Sequence, residues 1–374
     1  MNKILFLFLL TISLACTSKN TTKQAIFLNK EVRFNLVDSI ICEGDTGEVF
    51  SNSLAPVRFN NEEFIAFDML TKNLLFFNNK GQDKCRNIDL LLLLNKFKIS
   101  NDRLVGVLEL NPNKFVICSD PLIFIVDSSL DVLSQYNFNS LENSVKYYII
   151  GDALKLKLSS DKRYLYLTVA PDVLPLESYK KGKIMEIDLE KGISRILPIK
   201  FPCDYVPGKD YRLFSMPNFT IFKNYLFYIF PGSNYLYKYE LVSKLFDSIY
   251  ILPKYVKINT KDFGPSMADM IYPYLESNNF YQLVNDNKIL LLFYWEGKNR
   301  NTINRRKGIN ELNCFFIGYN PDTNEILFDS PLKLNNVLKN VYNFKNGILS
   351  FPSQANENLD ISKSKFLNYE MVIQ

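Results

Sequence analysis

Lys223-Asn224-Tyr225-Leu226-Phe227-Tyr228, followed by Leu236-Tyr237-Lys238-Tyr239-Glu240 and an apolar run from Leu245 to Ile251, carries the pattern on which the fold turns. A lysine-amide pair opens a tight turn, a short apolar stretch follows, and two further stretches are cut off by polar residues. Branched and aromatic side chains at this density pack best on pleated surfaces, so the stretches read as strands.

The same unit recurs along the chain. Its apolar second strand reads Phe64-Ile65-Ala66-Phe67, Phe115-Val116-Ile117-Cys118, Tyr164-Leu165-Tyr166-Leu167, Tyr225-Leu226-Phe227-Tyr228, Ile289-Leu290-Leu291-Leu292 and Ile348-Leu349-Ser350-Phe351, with starts 51, 49, 61, 64 and 59 residues apart. Turn formers stand before each one, as in Asn113-Lys114, Asp286-Asn287 and Lys345-Asn346. First strands such as Val105 to Leu110 and Phe280 to Val284 alternate with period two, and third strands end on Asn78, Asp127, Asp188, Glu240, Asn320 and Glu370. Six four-stranded antiparallel units predict an all-β fold, a six-bladed β-propeller. The last unit runs out at Gln374 after its third strand, while a spare strand, Val32 to Val37, precedes the first. Pairing the two closes the ring and removes its open edge.

The N-terminus has a separate meaning. Met1-Asn2-Lys3, an apolar run from Ile4 to Leu10 and Ser13-Leu14-Ala15-Cys16 form a secretory signal too short to stay as a membrane span, with a cysteine at the cleavage point. That places lipidation on Cys16 and predicts residues 1–15 as signal peptide, 16–30 as a lipidated tether and 31–374 as the propeller.

Composition removes several kinds of chemistry. The 374 residues include no histidine, which excludes serine-histidine triads, cysteine-histidine dyads and histidine metal sites. Cys42, Cys85, Cys118, Cys203 and Cys314 lack zinc-type spacing, and Cys118 and Cys314 sit in apolar runs, as buried free thiols do. No cofactor is expected. A net charge of +5 is small for this length, so no nucleic-acid partner is expected either.

In a four-stranded blade the loops between strands two and three, and those between blades, emerge on one face. That face receives nearly all the irregular sequence and is the expected ligand face. Its fifth-blade loop holds Trp295, Glu296, Arg300, Arg305, Arg306 and Lys307. Arg forks there would grip carboxylate, phosphate or sulfate while Trp295 stacks on a sugar or peptide; the same run also reads as a solvated hairpin tip. Tyr205, Tyr211, Arg212, Tyr272 and Tyr274 would line the channel mouth or, equally, plug their loops onto the ring. Asp204, Asp210, Asp262 and Asp269 supply carboxylates without singling out a pair. Phosphate-cradling glycine loops and the Gly-x-Ser-x-Gly elbow are absent.

The signal ending in Leu14-Ala15-Cys16, the blade endings Leu236-Tyr237-Lys238-Tyr239-Glu240-Leu241 and Glu186-Ile187-Asp188-Leu189, and the late Leu349-Ser350-Phe351-Pro352-Ser353 stretch resemble uncharacterised propeller lipoproteins of the Bacteroidota envelope. Those are grouped as a domain of unknown function and look TolB-like. The resemblance implies fold and location and carries no activity. Thr17-Ser18-Lys19-Asn20 lacks both the acidic residues resembling a surface-export signal and the aspartate resembling an inner-membrane retention signal, which points to the periplasmic side of the outer membrane. The expectation is a non-catalytic binding or scaffolding lipoprotein with a glycan, peptide or envelope-protein partner. The alternative is a glycan-cleaving hydrolase or lyase using Tyr, Arg and carboxylates in the channel mouth.

Overall fold

The computed structural model describes residues 23–43, 54–59, 63–78, 84–140, 145–150, 155–173, 181, 183–199, 201–206, 211–259, 271–302, 308–353 and 363–374. The described chain opens with three strands that belong to later blades: β1 (Lys23–Gln24), β2 (Ile26–Phe27) and β3 (Val32–Glu43). Blade one is β4 (Leu54–Phe59), β5 (Glu63–Asp68), β6 (Asn73–Asn78) and β7 (Lys84–Asp89); blade two is β8 (Leu104–Asn111), β9 (Lys114–Ser119), β10 (Leu122–Asp127) and β11 (Val132–Asn137). Blade three has a split inner strand, β12 (Tyr147–Ile149) and β13 (Leu156–Leu158), then β14 (Tyr164–Pro171), β15 (Ile184–Asp188) and β16 (Ile193–Ile196). Blade four is β17 (Asn218–Phe222), β18 (Tyr225–Ile229), β19 (Tyr235–Glu240) and β20 (Phe246–Tyr250); blade five is β21 (Asn279–Asn285), β22 (Leu290–Glu296), β23 (Asn313–Asn320) and β24 (Glu325–Pro331). Blade six combines β25 (Asn343–Lys345), β26 (Ile348–Pro352) and β27 (Lys363–Ile373) with β3 as its outer strand.

The fold is therefore the six-bladed propeller, closed as the sequence implied. β3 runs antiparallel to β27 from Val32 opposite Ile373 to Glu43 opposite Lys363. Asn368 on β27 donates to Asp38 on β3 (2.5 Å) and accepts from Ser350 on β26 (2.7 Å), which links three strands of the closing blade.

Each blade is covered on both sides by its neighbours, so the middle strands need apolar residues on both faces. The centres of β6 and β10 are buried without a break, whereas outer strand β11 alternates between half-buried and exposed. The core accordingly divides into six clusters among the described residues, one per blade junction. That between blades six and one, where Phe366 and Ile40 meet Phe64 and Phe77, exists only because the ends pair.

Local turn chemistry sets the blade corners. Asp127, Asp188 and Asn320 each accept a hydrogen bond from the backbone N–H two residues on. Gly192, Lys244 and Asn324 then take positive φ at the same offset from the end of the third strand. The connections on the opposite face are longer. They hold α1 (Leu90–Lys96), capped by Asp89 accepting from Leu91 N–H at 2.8 Å, and α2 (Ile271–Glu276).

Of residues 16–30, read from sequence as tether, those from Lys23 onward lie on the ring. β1 pairs in parallel with β20, β2 pairs in parallel with β24, and Ala25 packs into the cluster between blades four and five. Thr17 to Gln24 is polar and Ile26 to Leu28 is too short to read as a blade strand, and added outermost strands of two residues bury few side chains, so the pairing left no pattern in the sequence.

Candidate functional site at the channel mouth

Trp295 lies inside β22, 1 % exposed, instead of standing at a loop tip. Its Nε1 donates to Ser277 O (2.9 Å), its ring stacks on Tyr281 (centroids 4.9 Å apart), and Tyr274 meets it edge-on at 5.1 Å. Neither face is offered to solvent. Two residues later, a Cβ on Gly297 would come within 2.2 Å of Glu276 O, so only glycine lets α2 and the start of the fifth-blade loop approach this closely. Arg300 is exposed, with its guanidinium 4.4 Å from the Tyr272 ring centroid and its backbone N–H donating to Glu276 Oε1 (3.0 Å). Arg300 therefore packs on Tyr272, and Trp295 has no open ring face on which a sugar or peptide could stack. Arg305, Arg306 and Cys16 lie outside the described residues, as does the side chain of Arg212, whose backbone opens a short 3₁₀ turn.

Tyr205 serves the second of its two sequence readings. It is buried, stacks on Tyr211 (4.2 Å), donates to Phe214 O (3.0 Å) and accepts from Gly232 N–H (3.1 Å). Tyr211 in turn accepts from Val206 N–H, and the pair fastens the connection between blades three and four to the ring. Burial pushes the Tyr205 hydroxyl well above the ordinary tyrosine range, so it acts as a neutral hydrogen-bonding group.

The inner strands meet around the axis in two different ways. On the side of blades four, five and six, amide side chains stitch them together. Asn218 donates to Phe280 O (3.2 Å), Asn285 reaches Thr220 and Ile221 O, and Gln282 exchanges hydrogen bonds with both backbone groups of Val341. On the side of blades six, one and two the link is ionic, from Arg58 on β4 to Glu109 on β8. Pro56, Val57 and Arg58 on β4, Glu109 on β8, and Tyr342, Asn343 and Lys345 at β25 line a cavity of about 310 Å³. Arg58, Glu109 and Lys345 all sit near the ends of first strands, so the cavity opens on the tight-turn face, opposite the face favoured by loop length.

Arg58 organises this cavity. It donates to Glu63 (2.6 Å), to Glu109 (2.5 Å) and to Pro112 O (2.8 Å). The hydrogen bond to Glu109 leads in holding the guanidinium above its ordinary pKa, although partial burial pulls the other way. The result is a fixed ion-pair cluster with Lys345 and Asn343 on the facing wall, able to present donors and an acceptor to a polar ligand. Sequence reasoning passed over Arg58 and Glu109 in favour of the long loops. The signal was a charged residue within each of two first strands, in stretches otherwise apolar (Leu54 to Phe59 and Val105 to Leu110). Among the described residues, no group of three or more cysteines or carboxylates is placed to hold a metal ion.

Two solved structures share this architecture. One is a member of the DUF4221 family from Bacteroides vulgatus, with a TM-score of 0.71, 14% identity, and coverage of 92% of this chain and 99% of that one. The other is described as an exported protein from Bacteroides fragilis, with a TM-score of 0.51, 10% identity, and coverage of 93% and 99%. The propeller implied by the sequence resemblance is found in both neighbours, each of which comes from a Bacteroides species. At such identities the likeness speaks to fold. No protein-family model and no curated protein matches the sequence. No helix among the described residues is long and apolar enough to cross a membrane.

Proposed function

We propose that this protein is a non-catalytic binding ring of the cell envelope, anchored through a lipid on Cys16 at the periplasmic side of the outer membrane and taking a glycan or peptide at its channel mouth. The Arg58 cluster carries the reading. A concave, polar, charge-fixed cavity on a rigid ring suits recognition of hydroxyl and amide groups. Of the two carboxylates on Arg58 only Glu109 lines the cavity, and the guanidinium engages it, so among the described residues the lining holds no second carboxylate of the kind a glycan-cleaving enzyme would need. The geometry therefore favours binding over cleavage.

The test is a thermal-shift screen of the chain from residue 17 onward against monosaccharides, disaccharides and short peptides. A true ligand at 100 times its Kd stabilises the folded form by about 2.7 kcal/mol. The expected outcome is a ligand whose effect is lost in both Lys345→Met and Asn343→Ala. A ligand that ignores those substitutions but depends on Arg300 would move the site to the loop-rich face and overturn the assignment.

A further inference from the structure

We infer that the outer rim where blades four and five meet is the surface that faces lipid, so that the ring is held edge-on with its axis along the membrane plane. The inference rests on the reading of Cys16 as the lipidated residue, and it adds an orientation that this reading does not contain.

The first observation is where the chain arrives. Lys23 and Gln24 lie along β20, and Ile26 to Lys30 follow along β24, with Leu28 N–H donating to Ile326 O (2.9 Å) and Lys30 N–H to Leu327 O (2.8 Å). Seven steps separate Cys16 from Lys23, and a fully extended chain covers at most about 25 Å in that distance. A lipid on Cys16 therefore keeps this part of the rim within about 25 Å of the headgroups.

The second observation is the chemistry of the same rim. Ile26, Phe27 and Leu28 are 61%, 41% and 40% exposed, an apolar run with neither face of the strand covered. The connection leaving blade four lies alongside, because Lys254 N–H donates to Asp329 on β24 (2.6 Å) and Tyr255 stacks on Phe315 (4.9 Å). It adds Leu252 (61%) and Tyr255 (41%) to the strip. Exposed Lys30, Lys254 and Lys257 flank it. Apolar side chains edged by lysine suit the boundary between headgroup and acyl chain, where the lysines meet anionic lipid. The acyl chains supply the anchoring and the strip fixes the orientation. Blades radiate from the axis, so a rim set against the membrane leaves both channel mouths open sideways.

The experiment uses the full lipidated chain in vesicles of phosphatidylethanolamine and phosphatidylglycerol. Lysines are acetylated with a membrane-impermeant reagent and read by mass spectrometry. Lys23, Lys30, Lys254 and Lys257 are expected to label several-fold less than in the Cys16→Ala chain in solution, while Lys98 and Lys114, at blades one and two across the ring, label equally in both. Leu28→Glu combined with Leu252→Glu should restore rim labelling while the protein still floats with the vesicles. Equal labelling of the two sets in floating, lipidated protein would overturn the orientation. So would rim protection that persists in the Cys16→Ala chain, which would mark a protein contact such as a second copy. Failure of the lipoprotein reading shows separately, as an N-terminal peptide without the mass of diacylglycerol.

Discussion

Trp295 gives the sharpest test of how the loop-rich face is built. If it is a structural pin, Trp295→Ala removes a fully buried indole, worth about 3–5 kcal/mol in packing and cavity terms. It also removes the 2.9 Å hydrogen bond from the indole to Ser277 O, which keeps its 3.1 Å bond from Asn279 Nδ2. Because that acceptor stays satisfied, the lost bond adds only about 0.5–1.5 kcal/mol. The sum, roughly 3.5–6.5 kcal/mol, is a large share of the stability of an ordinary domain. Trp295→Phe keeps an aromatic ring beside Tyr281 but loses the Nε1 donor, so its cost should fall well below that of the alanine variant. Urea unfolding followed by circular dichroism measures both. Because Trp295 is the sole tryptophan, native fluorescence reports on it alone, and emission should be blue-shifted and insensitive to iodide. Iodide quenching close to that of free indole, or a loss below about 1 kcal/mol in Trp295→Ala, would refute the burial argument and return the side chain to the ligand-binding role that the sequence offered it.

Other substitutions probe other parts of the ring. A Cβ on Gly318 would lie 2.2 Å from Phe328 Cζ, inside the junction of blades five and six, so Gly318→Ala should lower stability in urea unfolding by about 1–3 kcal/mol. Burial pushes the Lys183 ammonium down to about 8. The unfolded chain holds that proton to about pH 10.4, so the cost is fully present below pH 8 and is relieved as pH rises through that window. Stability curves measured from pH 7 to pH 10 should therefore show the parent gaining about 2–3 kcal/mol relative to Lys183→Met across that range. Burial raises the thiols of Cys42, Cys118 and Cys314, to about 12 for Cys118 and about 11 for Cys314, whereas Cys203 is exposed. Of these four, only Cys203 should react with an aromatic disulfide in the folded state, as site-resolved mass spectrometry would show.

Much of the ring was legible because its determinants are local. Strand alternation, the turn-forming side chains of Asp127, Asp188 and Asn320, and the apolar second strands act within a few residues. The blade number and the use of Val32 to Val37 as the closing strand followed from them. The anchoring reading of Tyr205 was within reach for a similar reason, since Tyr211 and Phe214 lie in the same connection. Trp295 was misleading in sequence because it borders a long loop, yet it is covered by Tyr274 and Ser277 from the connection before its own blade. Nothing near it in the chain announces that cover.

By itself, then, the sequence determined six repeats, their strand order, the loop-rich face and the absence of histidine chemistry, all consequences of composition and short-range periodicity. Only the tertiary structure decided where polar groups meet. Arg58 and Glu109 are 51 residues apart, and Lys345 belongs to the last blade. They share a cavity because closure of the circle brings the first, second and sixth inner strands together around one axis, and no local pattern records which side of that axis stays open.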